Sequence, residues 1–198
     1  FDLEEENQIF EKDGLDAYYK YQLENEDKSL KKGTGYRLVE NILKINSFFS
    51  SDERQVEVII LSKNNAATSL RITNAINDLK LDIIRSAWTS GTNISNYLKA
   101  FKVDLFLSAD DNDVLNAIEN GVAAAKILPS NENIHNSSNN QVRIAFDGDA
   151  VLFSEESELI YKNNGLDAFI EHEKLNKDNP LEMGPFAKLL LTIAKIQA

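Results

Sequence analysis

Four short apolar runs constrain this chain more than anything else in its sequence. They are Val56–Leu61, Asp82–Ala87, Val103–Leu107 and Val142–Phe146, with a weaker one at Ala124–Leu128. They do not alternate apolar with polar residues, as a strand with one wet face would. Continuous apolar runs suit strands covered on both faces, as in a parallel sheet. Helical periodicity fills the intervals at Ala67–Lys80, Asn93–Phe101 and Asp113–Asn120. Strand, helix, strand, helix predicts an α/β fold, a doubly wound and mostly parallel sheet. The 198 residues fit a single domain spanning 1–198. Residues 129–140, PSNENIHNSSNN, are rich in Asn and Ser without apolar periodicity, and read as an exposed, flexible loop.

The chain also repeats itself. Displaced by 151 residues, Glu4–Ile45 lies on Glu155–Ile196 without a gap, with 15 of 42 positions identical. Gly14–Ala17 and Gly165–Ala168 are both GLDA, and Asn25, Asp27, Leu30 and Gly33 meet Asn176, Asp178, Leu181 and Gly184. One long period is not a solenoid; it marks a duplicated unit. The acidic segments Glu4–Glu26 and Glu155–Lys177 are its helices, expected to look alike as solvated amphipathic helices, as a small cap or as a subunit contact in a homo-oligomer. The second copy follows the run Val142–Phe146. The matching strand of the first copy would precede Phe1, so the chain is expected to begin partway into its fold.

Composition removes several function classes. The formal net charge is −11, which repels phosphate backbones and anionic membranes, so neither nucleic acid nor membrane is an expected partner. The chain has no Cys, which excludes disulfides and thiolate zinc sites. No apolar run approaches the ~18 residues of a membrane helix, and with no visible signal peptide a cytoplasmic protein is expected.

The sharpest local signal is Arg143–Phe153, RIAFDGDAVLF. Two carboxylates, Asp147 and Asp149, follow an apolar run with Gly148 between them. At the C-terminal edge of a parallel sheet both would stand over the ligand crevice. One can then attack as a nucleophile while the other serves as acid and base. A plain turn is the alternative, since Asp and Gly are turn residues. Ser62 ends the run Ile59–Ser62, where a hydroxyl can bond a phosphoryl oxygen, or merely cap a helix. Leu107–Asp113, LSADDND, ends another run in carboxylates that suit Mg²⁺, or else a helix dipole. Lys99 just before that run can neutralise phosphate, with Lys102 a weaker choice, or be an ordinary surface lysine.

Together these motifs resemble the constellation of haloacid-dehalogenase-type phosphohydrolases in permuted order, with the DxD element last. More closely, the chain resembles the cytosolic type I 5′-nucleotidases. The resemblance runs through FDLEEENQIFEKDGLDAYYKYQ, VEVIILSKNNAATSLRITNAI, YLKAFKVDLFLSADD and FDGDAVLFSEESE, the last being the most specific. It implies a haloacid-dehalogenase-like fold and Mg²⁺-dependent hydrolysis of nucleoside 5′-monophosphates, AMP among them. By it Asp147 is the nucleophile, Asp149 the acid/base, Ser62 the phosphate-binding hydroxyl and Lys99 the neutralising lysine. Asp110 is the further metal ligand beside Asp147 and Asp149, with Asp111 and Asp113 as alternatives.

Lys63, Asn64 and Thr89 join Ser62 as candidate substrate-binding residues. Arg71 and Asn74, one helical turn apart, could face phosphate or ribose, or simply a helix surface. Trp88, the sole Trp, could stack on a base or fill a core. His135 and His172 have no partner at metal-ligand spacing. Two rival readings stay open: a phosphomonoesterase for another small ester, and a non-catalytic nucleotide- or Mg²⁺-binding module. The second acid at Asp149 favours an enzyme.

Overall fold

The structure is a computed structural model describing residues 1–129 and 141–197. Most of the expected 129–140 loop, with His135, therefore lies outside the described residues. The described residues fall into two compact units, Phe1–Ile94 with Ile127–Val142 and Ser95–Lys126 with Arg143–Ala198.

The first unit is built on α1 (Glu4–Glu24), α2 (Tyr36–Leu43), β1 (Ile59–Ser62), α3 (Leu70–Asp78) and β2 (Arg85–Trp88). β1 and β2 pair in parallel, from Ile59 opposite Arg85 to Ser62 opposite Trp88. Parallel neighbours need a crossover, and α3 supplies it. Ile72, Ala75 and Ile76 lie on its buried face at helical spacing. With Leu30 they form a core against which Phe1, Leu3, Ile60, Leu81, Ile83 and Trp88 pack. The second unit repeats the β-α-β plan with α4 (Ser95–Leu98), β3 (Phe106–Ser108), α5 (Asp111–Glu119) and β4 (Ala124–Lys126), β3 and β4 again parallel. It closes with α6 (Glu156–Asn176) and α7 (Ala187–Gln197).

An α/β chain with parallel ladders is thus what the apolar runs produce. The described residues form two two-stranded ladders. One expectation needs correcting: Val142–Phe146, read as a buried strand, joins no ladder among the described residues, with Ile144 44% exposed. Strand structure belongs to a pair, since backbone donors and acceptors need a neighbour to meet. An apolar run alone does not supply one.

The duplicated helices do look alike, but neither is a single rod. Gly14 has φ 83° and ψ −176°, and Gly165 has φ 83° and ψ −179°. This conformation is essentially open to glycine only, and it folds each segment into a hairpin. In α1 the Tyr21 hydroxyl donates to Glu5 (2.9 Å), and Phe10 meets Tyr18 edge-on at 6.0 Å and 79°. In α6 the matching residues are His172 beside Glu156 (3.5 Å), and Tyr161 edge-on to Phe169 at 6.2 Å and 79°. Asn25 and Asn176 bond the carbonyls of Tyr21 and His172 in the same way, at 2.7 and 3.0 Å. Gly33 and Gly184 are a second matched pair. A Cβ on Gly33 would run into Phe1 O, and one on Gly184 into the carbonyls of Val151 and Phe153.

Two stability predictions follow from these constraints. Gly14→Ala and Gly165→Ala should each lower the unfolding free energy by about 1–3 kcal/mol, read as a fall in the urea midpoint at constant slope. The second concerns Glu57, which the Arg85 guanidinium holds below its usual carboxylate range by hydrogen bonding. A depressed folded pKa stabilises above the unfolded value and is lost as pH falls through the folded one. Glu57→Gln should therefore cost under ~1 kcal/mol near neutral pH, as for a part-exposed pair, and nothing at a pH below the carboxylate range.

Candidate active site

In the first unit the ends of β1 and β2 are laced into one ledge. Thr89 N donates to Ser62 O (2.9 Å), Ser90 N to Asn64 O (3.1 Å) and Gly91 N to Lys63 O (2.7 Å). Ser90 and Gly91 take positive φ, 49° and 87°, which turns the second loop against the first. Within the first loop Asn64 N donates to Ser62 Oγ (3.2 Å). The hydroxyl keeps its proton and a lone pair to offer. Asn64 Oδ1 accepts from the buried Tyr18 hydroxyl (3.0 Å), which itself accepts from Gln22 Nε2 (3.1 Å). The ledge therefore gathers Ser62, Lys63, Asn64 and Thr89, four of the expected substrate-binding residues.

Two other candidates do structural work. Arg71 is buried and ion-paired with the equally buried Glu6, and its Nε donates to Lys28 O (2.9 Å). Asn74 donates to Glu26 O (3.0 Å). Both tie α3 to the α1 hairpin and the turn after it, so neither lies on an open helix surface. Trp88 is half-buried against the α3 core.

In the second unit the acids sit where β3 passes into α5. Asp110 is the N-cap, its Oδ1 accepting from Asp113 N (3.0 Å), while its own N–H donates to Ser108 Oγ (3.1 Å). Asp111 pairs with Lys126 Nζ at 2.7 Å, and Asp113 is buried. Lys99, after α4, is exposed, as is Lys102, which has φ 55°. Neither makes an ion pair among the described residues.

The Asp147–Asp149 turn belongs to this unit too. Asp147 Oδ1 accepts from Gly148 N (2.7 Å), and the residue is exposed. Asp149 is extended and exposed, and Ala150 then turns left-handed at φ 57°. Behind the turn the backbone is pinned. Gly184 N donates to Leu152 O (2.8 Å), Phe186 N to Val151 O (3.0 Å) and Ser154 N to Glu182 O (2.8 Å). Phe186 also meets Phe146 edge-on at 6.3 Å. The duplicated unit is thus the support of the acidic turn.

Carboxylates of this kind suit Mg²⁺, but their arrangement does not make a metal centre. Among the described residues no three acidic or imidazole groups are gathered closely enough to hold an ion. His172 sits between Glu156 and Glu173 on the α6 hairpin (3.5 Å each), remote in sequence from the acidic turn.

Comparison with known proteins supplies the family. The 5′-nucleotidase family model matches residues 1–198, the entire chain. The chain belongs to the 5′-nucleotidase family. It is 33% identical over 201 residues to human cytosolic 5′-nucleotidase 1B. That match covers all of this chain and 33% of the human protein, so the chain spans about a third of its relative's length. No solved structure matches. The resemblance to cytosolic type I 5′-nucleotidases read from the sequence is thereby borne out, and no helix among the described residues is long and apolar enough to cross a membrane.

Sequence reasoning passed over Tyr18 and Gln22, buried polar residues on an acidic helix. Their signal lay in the repeat, where Tyr18 aligns with Phe169 and Gln22 with Glu173.

The N-cap role of Asp110 can be separated from any other. Asp110→Ala should cost about 1 kcal/mol, and Asp110→Asn only a few tenths, because Asn caps as well as Asp. Thermal or urea unfolding of the two variants checks this.

Proposed function

We propose that this chain hydrolyses nucleoside 5′-monophosphates, AMP among them, to nucleoside and phosphate through an aspartyl-phosphate. What carries the reading is the Asp147–Gly148–Asp149 turn, two exposed carboxylates on a pinned backbone, in a chain that the 5′-nucleotidase family model matches from end to end. An oxygen of Asp147 attacks phosphorus as the bond to the ribose 5′-oxygen breaks. Asp149, protonated at that moment, gives its proton to the departing oxygen. It then takes a proton from water, whose oxygen attacks the phosphorus, frees phosphate and restores the Asp147 carboxylate. In the first unit Ser62 is the candidate phosphate-binding hydroxyl, with Lys63, Asn64 and Thr89 beside it. Lys99 offsets the negative charge that builds in the transition state, the main contribution a protein makes to phosphoryl transfer.

The same proposal includes Mg²⁺ held by Asp147, Asp149 and Asp110. The hard oxygen donors support it, and the described geometry does not supply the centre. When bound, such an ion would neutralise phosphoryl charge. Asp111, already paired with Lys126, is the weaker ligand. A haloacid-dehalogenase-like, doubly wound sheet is part of the reading too, supported by the two parallel β-α-β units. So is a cytoplasmic location, supported by the cytosolic designation of the human relative.

Phosphate release measured across nucleoside monophosphates and sugar phosphates tests the substrate class. Greater turnover of sugar phosphates would transfer the chemistry to another ester. Asp147→Asn should lose far more than tenfold in rate, where tenfold is ~1.4 kcal/mol of barrier. A variant retaining a tenth of the rate would remove Asp147 as nucleophile. Excess chelator should abolish turnover, and its return on adding Mg²⁺ would secure the ion.

A further inference from the structure

The two copies of the duplicated hairpin supply a natural comparison at one atom. Tyr18 and Phe169 occupy matched positions, and their rings make the same edge-on contact, to Phe10 and Tyr161 at 6.0 and 6.2 Å, both at 79°. The ring alone is therefore enough to close such a hairpin. The Tyr18 hydroxyl is additional, carried by a residue that is 7% exposed and could have been Phe. Burying a hydroxyl costs free energy unless it is bonded.

Its bonds lead towards the ledge. Gln22, 1% exposed, donates to the Tyr18 oxygen, and Tyr18 donates to Asn64 Oδ1. Asn64 N donates in turn to Ser62 Oγ. The neighbouring positions have diverged the same way. In the second copy Ser157 donates to Glu173 (2.6 Å), closing the hairpin on itself. In the first copy the matched residues are Glu6 and Gln22, and both turn outward, Glu6 to Arg71 on α3 and Gln22 into the Tyr18 chain. At these positions the second copy bonds within itself, and the first grips the β1–α3 segment.

We propose that Tyr18 is a positioning residue: the relay Gln22–Tyr18–Asn64 holds the β1 loop so that the Ser62 hydroxyl faces the phosphoryl group. This rests on the functional reading above, in which Ser62 binds phosphate. Tyr18 touches no substrate and acts through Asn64. Displacement of a binding group by about 1 Å can cost on the order of a hundredfold in rate, and loss of one tether while the backbone bonds of the ledge remain should cost less.

Tyr18→Phe in the full chain installs the residue the second copy already carries, so the fold should survive, with a melting temperature lowered only by the buried Gln22 amide left without its partner. AMP hydrolysis should then fall about tenfold in kcat/KM, mainly through kcat, because Ser62 would still be present but no longer held. In an Asn64→Ala background the same substitution should have little further effect, since the relay is already cut. Amide hydrogen exchange at residues 62–64 should quicken in Tyr18→Phe. A stable Tyr18→Phe protein with unchanged kcat/KM, or effects of Tyr18→Phe and Asn64→Ala that simply add, would overturn the proposal. The exchange measurement separates the two readings. If wild type releases no phosphate from any ester, the enzyme reading fails, and the role of Tyr18 in positioning a phosphate-binding hydroxyl fails with it. Quickened exchange would then leave only the structural relay standing. Unchanged exchange alongside normal wild-type turnover would remove the relay and leave the enzyme reading intact.

Discussion

A left-handed glycine in each GLDA motif is the constraint on which much else depends. Uninterrupted, each acidic segment would be a rod of 21 residues, about 31 Å long at the usual rise. At Gly14 and Gly165 the chain reverses instead, so residues sixteen apart meet, Glu5 with Tyr21 and Ser157 with Glu173. A side chain at that φ and ψ would be strained, which is why glycine recurs there. The reversal also presents a two-helix face to the rest of each unit. In the first unit that face receives Arg71 and Asn64, and through them the β1–α3 segment.

Close backbone approach is the second constraint, and it links fold to chemistry. Gly184 permits the 182–186 segment to lie directly on Val151–Phe153, where three backbone hydrogen bonds hold it. The Asp147–Asp149 turn stands immediately before these residues. In the proposed reaction a nucleophile needs an oriented carboxylate more than a flexible one. Here the orientation comes from the duplicated segment behind the turn, while both carboxylates stay exposed. The Glu6–Arg71 pair plays the comparable part in the first unit. Burying two charges is costly, and the guanidinium offsets that cost with further bonds, to the Lys28 carbonyl and over the Tyr21 ring.

Arg71 and Trp88 illustrate where residue-by-residue reading stops. Both were legible as polar or aromatic groups near a loop expected to bind phosphate. Arg71 faces a buried glutamate contributed by a helix 65 residues away in sequence, and no local pattern announces that partner. Asp110 and Asp111 show the same limit differently. Their position at the end of β3 was legible, whereas the N-cap bond of Asp110 and the ion pair of Asp111 with Lys126 depend on α5 and β4 being formed. Tyr18 was recoverable in principle, because the repeat places Phe opposite it.

By itself the sequence determined the α/β class, the parallel β-α-β units, the duplication with its glycines and the family, because each is carried by local pattern or by direct alignment of residues. Which apolar runs become strands was decided only in three dimensions. Ile59–Ser62, Arg85–Trp88, Phe106–Ser108 and Ala124–Lys126 find ladder partners, and Val142–Phe146 finds none among the described residues. The tertiary structure likewise decided which polar side chains are engaged inside and which stand open, as Arg71 and Asp147 do in turn. The physical reason is the same in both cases. Hydrophobic periodicity is a property of one segment, while a ladder, a buried ion pair or a relay of hydroxyls exists only between segments that folding has brought together.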